Sequence, residues 1–167
     1  MPFARPARAL VPVLLAALAA CEATTAPPSD LAEGTMQLEV TGDTSFTASG
    51  IALYHAPQMS LSDQSGPGDA EFMQLFLEVP ENPQRRRYEG MTTGTVLFVV
   101  RNGVTVRQFG STSGWVELYE VNPGNVRGYA LISLQEVDGD GRPIPGNTIT
   151  VRPVFNASRA AASVDVR

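Results

Sequence analysis

Apolar side chains in this chain recur at every second position in short runs, and glycine, proline, asparagine and aspartate cut the runs apart. Met73, Leu75, Leu77 and Val79 share one face of such a run, and Val126, Ala130, Ile132 and Leu134 share one face of another. A period of two belongs to a strand with one buried face; a core built on helices would need a period near 3.6. No helical period follows residue 20. Eight strands are expected, at 35–41, 45–55, 71–79, 94–101, 104–109, 114–121, 126–137 and 148–156. The turn signals between them are specific. Gly42-Asp43 and above all Asn102-Gly103 tolerate positive φ at a two-residue hairpin, and Asn122-Pro123-Gly124-Asn125 combines a fixed and a free φ. Two polar stretches fit no strand. Residues 56–70, with Ser65-Gly66-Pro67-Gly68-Asp69, read as a mobile loop. Residues 80–93, with Arg85-Arg86-Arg87, read as a second long connection, and the tail from 157 is expected to fray.

This pattern predicts an all-β domain, an antiparallel β-sandwich of about eight strands, with a small β-barrel as the alternative. Pro153 favours the sandwich, because proline lacks a ladder donor and belongs at an edge or a bulge, and a barrel has no edges.

The N-terminus has a different character. Arg5 and Arg8 precede an uncharged apolar stretch from Ala9 to Ala20, which ends at Cys21, the only cysteine. Twelve residues are too few to span a hydrocarbon core of about 30 Å as a helix. A basic start, a short apolar run and small residues before a break make a secretory signal peptide. Leu18-Ala19-Ala20-Cys21 resembles the lipobox of bacterial lipoproteins. That resemblance implies cleavage before Cys21, a diacylglycerol on its sulfur and acylation of its new amino group. Several acyl chains anchor stably where one binds marginally. Glu22, standing where an aspartate would imply retention at the inner membrane, implies outer-membrane sorting. The expected organisation is a signal peptide at 1–20, a lipid-attached flexible tether at 21–34 with Pro27-Pro28, a β domain at 35–157 and a disordered tail at 158–167. A single cysteine also excludes an internal disulfide.

The chain carries 12 basic residues against 17 acidic, a formal charge of −5, and removal of Arg5 and Arg8 makes the remainder more acidic still. That balance excludes nucleic acid as a partner and disfavours docking onto anionic lipid. The membrane partner is therefore reached through lipid on Cys21, and an envelope protein or a glycan is the further partner expected.

The second half resembles small uncharacterised bacterial lipoproteins. The matching pieces are Leu75-Phe76-Leu77-Glu78-Val79-Pro80, Tyr88-Glu89-Gly90, Ser113-Gly114-Trp115-Val116-Glu117-Leu118, Val126-Arg127-Gly128-Tyr129-Ala130 and Pro153-Val154-Phe155-Asn156-Ala157. Tyr88 precedes its glycine, and Pro153 stands where that pattern has a glycine. The resemblance implies the fold class and the anchor, and it supplies no activity.

No set of residues assembles a reaction. His55, the only histidine, sits at a strand end, where a serine–histidine triad would have to use it. Asp138-Gly139-Asp140-Gly141 opens like a calcium loop, but the twelfth position is Ile149, so a hairpin turn is expected. Glu117 and Glu120 fall on opposite faces by parity, which separates them as an acid pair. Arg85-Arg86-Arg87 reads as a solvated loop, and Asn156-Ala157-Ser158 as an accidental sequon. Phe72 and Phe76, opposite Met73, Leu75 and Leu77, read as core; the alternatives are a ligand cavity or an interaction patch. The expectation is no catalytic, cofactor or metal residue, and not an enzyme. Three functions compete: an interaction module presented on a tether, a carrier with a small apolar ligand beside Phe72 and Phe76, and a hydrolase using His55.

Overall fold

The computed structural model describes residues 30–63, 71–90 and 96–159. The expected signal peptide, Cys21, the expected tether as far as 29, residues 64–70 of the expected loop, residues 91–95 and the expected tail from 160 lie outside the described residues. Nine strands follow one another: β1 Thr35–Gly42, β2 Phe46–His55, β3 Gln58–Ser62, β4 Glu71–Glu78, β5 Arg86–Glu89, β6 Val96–Arg101, β7 Val104–Val121, β8 Asn125–Val137 and β9 Pro143–Arg159. There is no helix among the described residues.

The sheet closes into a barrel rather than stacking as a sandwich. Eight antiparallel strands run round the ring in the order β1-β2-β3-β4-β6-β7-β8-β9, and β9 returns to pair with β1 from Thr35↔Asn156 to Gly42↔Ile149. Strand β5 pairs with the second half of β7, beyond the end of β6, and continues the wall there. The small barrel fits where the sandwich does not, and the reason lies in β7, β8 and β9. They are 18, 13 and 17 residues long, so each pairs on both sides, and a twisted meander of such strands brings its last strand back to its first. Pro153 is buried in β9, an interior strand paired with Leu38 of β1. Towards β8 the recorded pairs stop at Tyr129↔Val154 and resume at Ile132↔Val151. The missing donor is therefore absorbed by a local gap in a ladder, not by an edge.

Two expected loops contain strands. Met59 and Leu61 of β3 are fully buried, and β3 pairs with β2 and β4. Tyr88 of β5 is buried while its neighbours Arg87 and Glu89 are not. The runs expected at 104–109 and 114–121 are one strand, bent at Gly114. Its φ is +147°, and a Cβ there would lie 2.4 Å from the Leu131 carbonyl oxygen. The last strand also runs on through Arg159, past the expected start of the tail.

The barrel is packed from within. Met36, Leu38 and Val40 of β1, Leu75 and Leu77 of β4, Ile132 and Leu134 of β8, and Val151 and Phe155 of β9 form one buried cluster. One end is sealed. There the Tyr54 hydroxyl donates to the Pro80 carbonyl at 2.8 Å, and the Tyr88 hydroxyl donates to the Gln84 carbonyl at 3.0 Å. Burial pushes the Tyr54 phenol above its usual 10.0, against the neighbouring Arg159 charge. Asn156 clasps the incoming chain: its Nδ2 donates to the Leu31 carbonyl at 2.8 Å, and its Oδ1 accepts from Asn125 at 2.7 Å. Its main-chain oxygen accepts from Gly34, so Asn156 holds the entering chain at both Leu31 and Gly34. An apolar interior with Glu39, Arg152, Arg87 and Glu117 on the outer wall is the reverse of a transmembrane barrel, whose outside is apolar all round.

Candidate functional site

Among the described residues the other end of the barrel carries an open cleft. It is formed by the β1–β2 turn, the ends of β3, β6 and β8, and the starts of β4, β7 and β9. A cavity of about 410 Å³ lies in this mouth. Phe46, Phe72, Met73, Leu97, Val99, Phe109 and Ile149 supply its apolar lining, and Thr44, Asp63, Arg101 and Arg107 its polar one. Leu97, Phe109 and Ile149 also belong to the buried core, so the cavity floor is the top of the packed interior.

An ion pair stands beside this floor. Even-numbered residues of β8 face inward, and Val126, Ala130, Ile132 and Leu134 obey the apolar rule. Glu136 takes the next inward position and is only 9 % exposed. A lone carboxylate there would be costly. Arg107 of β7 answers it with two hydrogen bonds, Nε to Oε1 at 3.0 Å and Nη2 to Oε2 at 2.7 Å. The guanidinium also lies 4.8 Å from the Phe109 ring centroid. Asn147 donates a third bond to Glu136 at 2.7 Å. It gets there through a bulge, because β8 pairs Gln135↔Thr148 and then Val137↔Pro143. The Arg107 hydrogen bond, helped by Asn147 and opposed by burial, holds the Glu136 carboxyl below its usual 4.5. The same bond raises the Arg107 guanidinium.

Sequence reasoning missed Arg107, Glu136 and Asn147. The signal for Glu136 was present, as a charge in register with Ile132 and Leu134. Of the residues singled out from sequence, Phe72 reaches the cavity, and Phe76 does not. Leu75 and Leu77 are buried inward, so Phe76 points out of the barrel and meets Phe98 edge-on at 6.0 Å. The core reading of Phe76 is therefore replaced by a place on the outer wall. His55 is exposed at the sealed end. Asp138 Oδ1 accepts from the amides of Asp140 at 2.9 Å and Arg142 at 2.8 Å, and Asp140 pairs with Arg142 at 2.9 Å, as in a hairpin turn. The Asn156 amide of the sequon is occupied in the clasp.

A second cluster lies on the outer wall. Arg86 and Arg87 belong to β5 rather than to a solvated loop. The Arg87 guanidinium stacks 3.9 Å from the Trp115 ring centroid and sits 3.1 Å from Glu117. Trp115 meets Tyr129 edge-on at 5.4 Å. Burial, then the hydrogen bond to Glu117, raises the Tyr129 phenol above 10.0. Glu120 faces the same way as Glu117, against the parity expectation, because a bulge between Leu118 and Glu120 re-aims the strand. Arg127 pairs with it at 3.2 Å. Each of these acids has an arginine partner, and the cluster stitches β5 to the barrel. Among the described residues no three of His, Cys, Asp and Glu gather where they could hold a metal ion. No family model matches this sequence, and neither a curated protein nor a solved structure matches it.

Proposed function

We propose that this chain is a lipid-anchored, non-catalytic binding module of a bacterial cell envelope, carried on the outer membrane by acyl groups on Cys21. Its ligand site is the barrel mouth, and the ligand is a small molecule with an apolar body and a polar end. The observation that carries the reading is the cavity of about 410 Å³ at the end of the barrel away from the tether. Its volume lies in the range of small-molecule sites, and barrel mouths are frequent places for them. Seven apolar side chains suit the body of such a molecule, and Thr44, Asp63 and Arg101 suit its polar end. The Arg107–Glu136 pair and Asn147 satisfy one another, which suits holding better than chemistry. The Leu18-Ala19-Ala20-Cys21 run supports the anchor, and Glu22 supports the membrane assignment.

Val99 lines the cavity and is half-buried, so Val99→Trp fills the mouth from its wall. An anilinonaphthalene sulfonate dye is expected to bind the wild type once per chain. It should bind the variant about tenfold or more weakly, with the near-ultraviolet dichroism of the fold retained. Equal affinity for both proteins would remove the mouth as the site.

A further inference from the structure

The barrel's outer wall has two unlike sides. On one, Ile51 and Leu53 of β2 are 47 % and 46 % exposed, while Ala52 and Tyr54 between and beyond them are buried. Cross-strand pairing extends each into a row: Leu53, Ser60, Phe76 and Val96 form one, and Ile51, Ser62, Gln74 and Phe98 form the next. Neither row contains a charge. Val104 and Val106, 63 % and 46 % exposed, continue apolar surface towards the mouth. On the opposite side the corresponding row runs Arg87, Glu117, Tyr129, Val154 and Gln37, with the Glu39–Arg152 ion pair beside it.

The chain leaves the barrel at the border of these two sides. The Gly34 carbonyl accepts from the amide of Ala52 of β2, and the Gly34 amide donates to the Asn156 carbonyl of β9. Leu31, clasped by Asn156, is ten residues from Cys21. A leash of that length reaches roughly 35 Å at most. A membrane at its end is within reach of both sides, so the chemistry of the two surfaces selects between them.

We infer that the uncharged rows on β2, β3, β4 and β6 rest on the bilayer that holds the acyl chains, with the charged side turned to water. This rests on the anchor at Cys21 put forward above. The absence of charge suits a surface that a net acidic chain must approach without electrostatic attraction. Size favours lipid over a second copy. Rows on strands roughly 4.8 Å apart cover on the order of 300 Å², whereas a standard dimer interface takes about 800 Å² from each partner. A tethered contact needs no such area, because the leash supplies the local concentration.

The test places a fluorophore at Leu53→Cys or, on the opposite side, at Arg152→Cys. In the acylated chain the introduced thiol is the only free one, because Cys21 is the sole native cysteine. Each protein is placed in phosphatidylethanolamine–phosphatidylglycerol vesicles containing a spin-labelled quencher lipid. A parallel pair carries Cys21→Ser and is held by a histidine tag at its mature N-terminus on nickel-chelating lipid. Quenching at position 53 is expected to exceed that at 152 several-fold in both formats. Equal quenching at the two positions would overturn the inference. So would a signal at 53 that follows protein concentration and ignores the quencher, which would assign the rows to a second copy. Mass spectrometry of residue 21 reads the anchor separately: an unmodified thiol would overturn the acyl reading, and the tag-held pair would still decide which side meets lipid.

Discussion

The two ends of the barrel are finished by different physics. At the sealed end Phe155, Tyr54 and Tyr88 fill the space between strands, and the two tyrosine hydroxyls donate to main-chain carbonyls. At the mouth the same inward alternation of β8 runs out in Glu136, and an ion pair stands where another apolar side chain would have closed the stack. Filling completes a core, and each buried ring adds to stability. A charge on an inward position adds little net stability even when paired, because both groups give up their water. Inward polar side chains therefore mark the mouth, the end at which the proposed ligand would enter.

The largest effect expected from this contrast is at the sealed end. Phe155 is wholly buried, and its ring lies against Gly128, where a Cβ would come within 2.8 Å of Phe155 Cζ. Phe155→Ala should lower unfolding stability by about 3–5 kcal/mol, read as a shift of the urea midpoint. Dye binding per folded molecule at the mouth should be preserved. A loss below about 1 kcal/mol would mean that this end is not the packed one.

Breaking the mouth should cost less and should depend on pH. Arg107 is 36 % exposed and Glu136 12 % at the side chain, so solvent screens part of their attraction. Glu136→Gln should cost about 1–2 kcal/mol at neutral pH. The sign of the pH effect follows from the direction of the shift. Folding depresses the Glu136 carboxyl, so its contribution is complete above the usual carboxylate value of 4.5. It is lost as pH falls through the depressed value of the folded state. Wild-type stability should therefore drop more steeply than that of the variant below about pH 4.5, and the two should converge in stronger acid. Parallel curves from urea titrations across that range would show that the pair does not titrate as described.

The difference between the ends also separates what the sequence discloses from what it hides. Alternation located the inward faces of β4 and β8, and Asn102-Gly103 is a hairpin turn with φ of +51° and +76°. Strands β3 and β5 escaped because Met59 and Leu61, or Tyr88 alone, are too few inward residues to show a period. Closure escaped because pairing of β9 with β1 joins residues more than a hundred positions apart, and Pro153 pointed to an edge that the ladder gap makes unnecessary. Bulges hid the rest. Each inserts a residue that reverses parity, which turned Glu120 outward beside Glu117 and brought Asn147 to Glu136. The mouth is built at such irregularities, so its residues were the least legible.

The smallest effect sharpens the comparison at the mouth's rim. Asp138 there has two readings, as a cap for its own turn or as a ligand for calcium. Its Oδ1 accepts from two main-chain amides two and four residues on, which fixes the β8–β9 turn without any ion. Asp138→Ala frees both amides to water at an exposed site, so the loss should be about 0.5–1.5 kcal/mol. Adding calcium should leave the melting temperatures of wild type and variant unshifted, because Asp140 is already engaged by Arg142. A calcium-dependent rise in the wild type that Asp138→Ala abolishes would instead make the rim a cation site. The mouth would then hold an ion at its rim beside the Arg107–Glu136 pair, and the contrast with the sealed end would no longer be one of packing against charge alone.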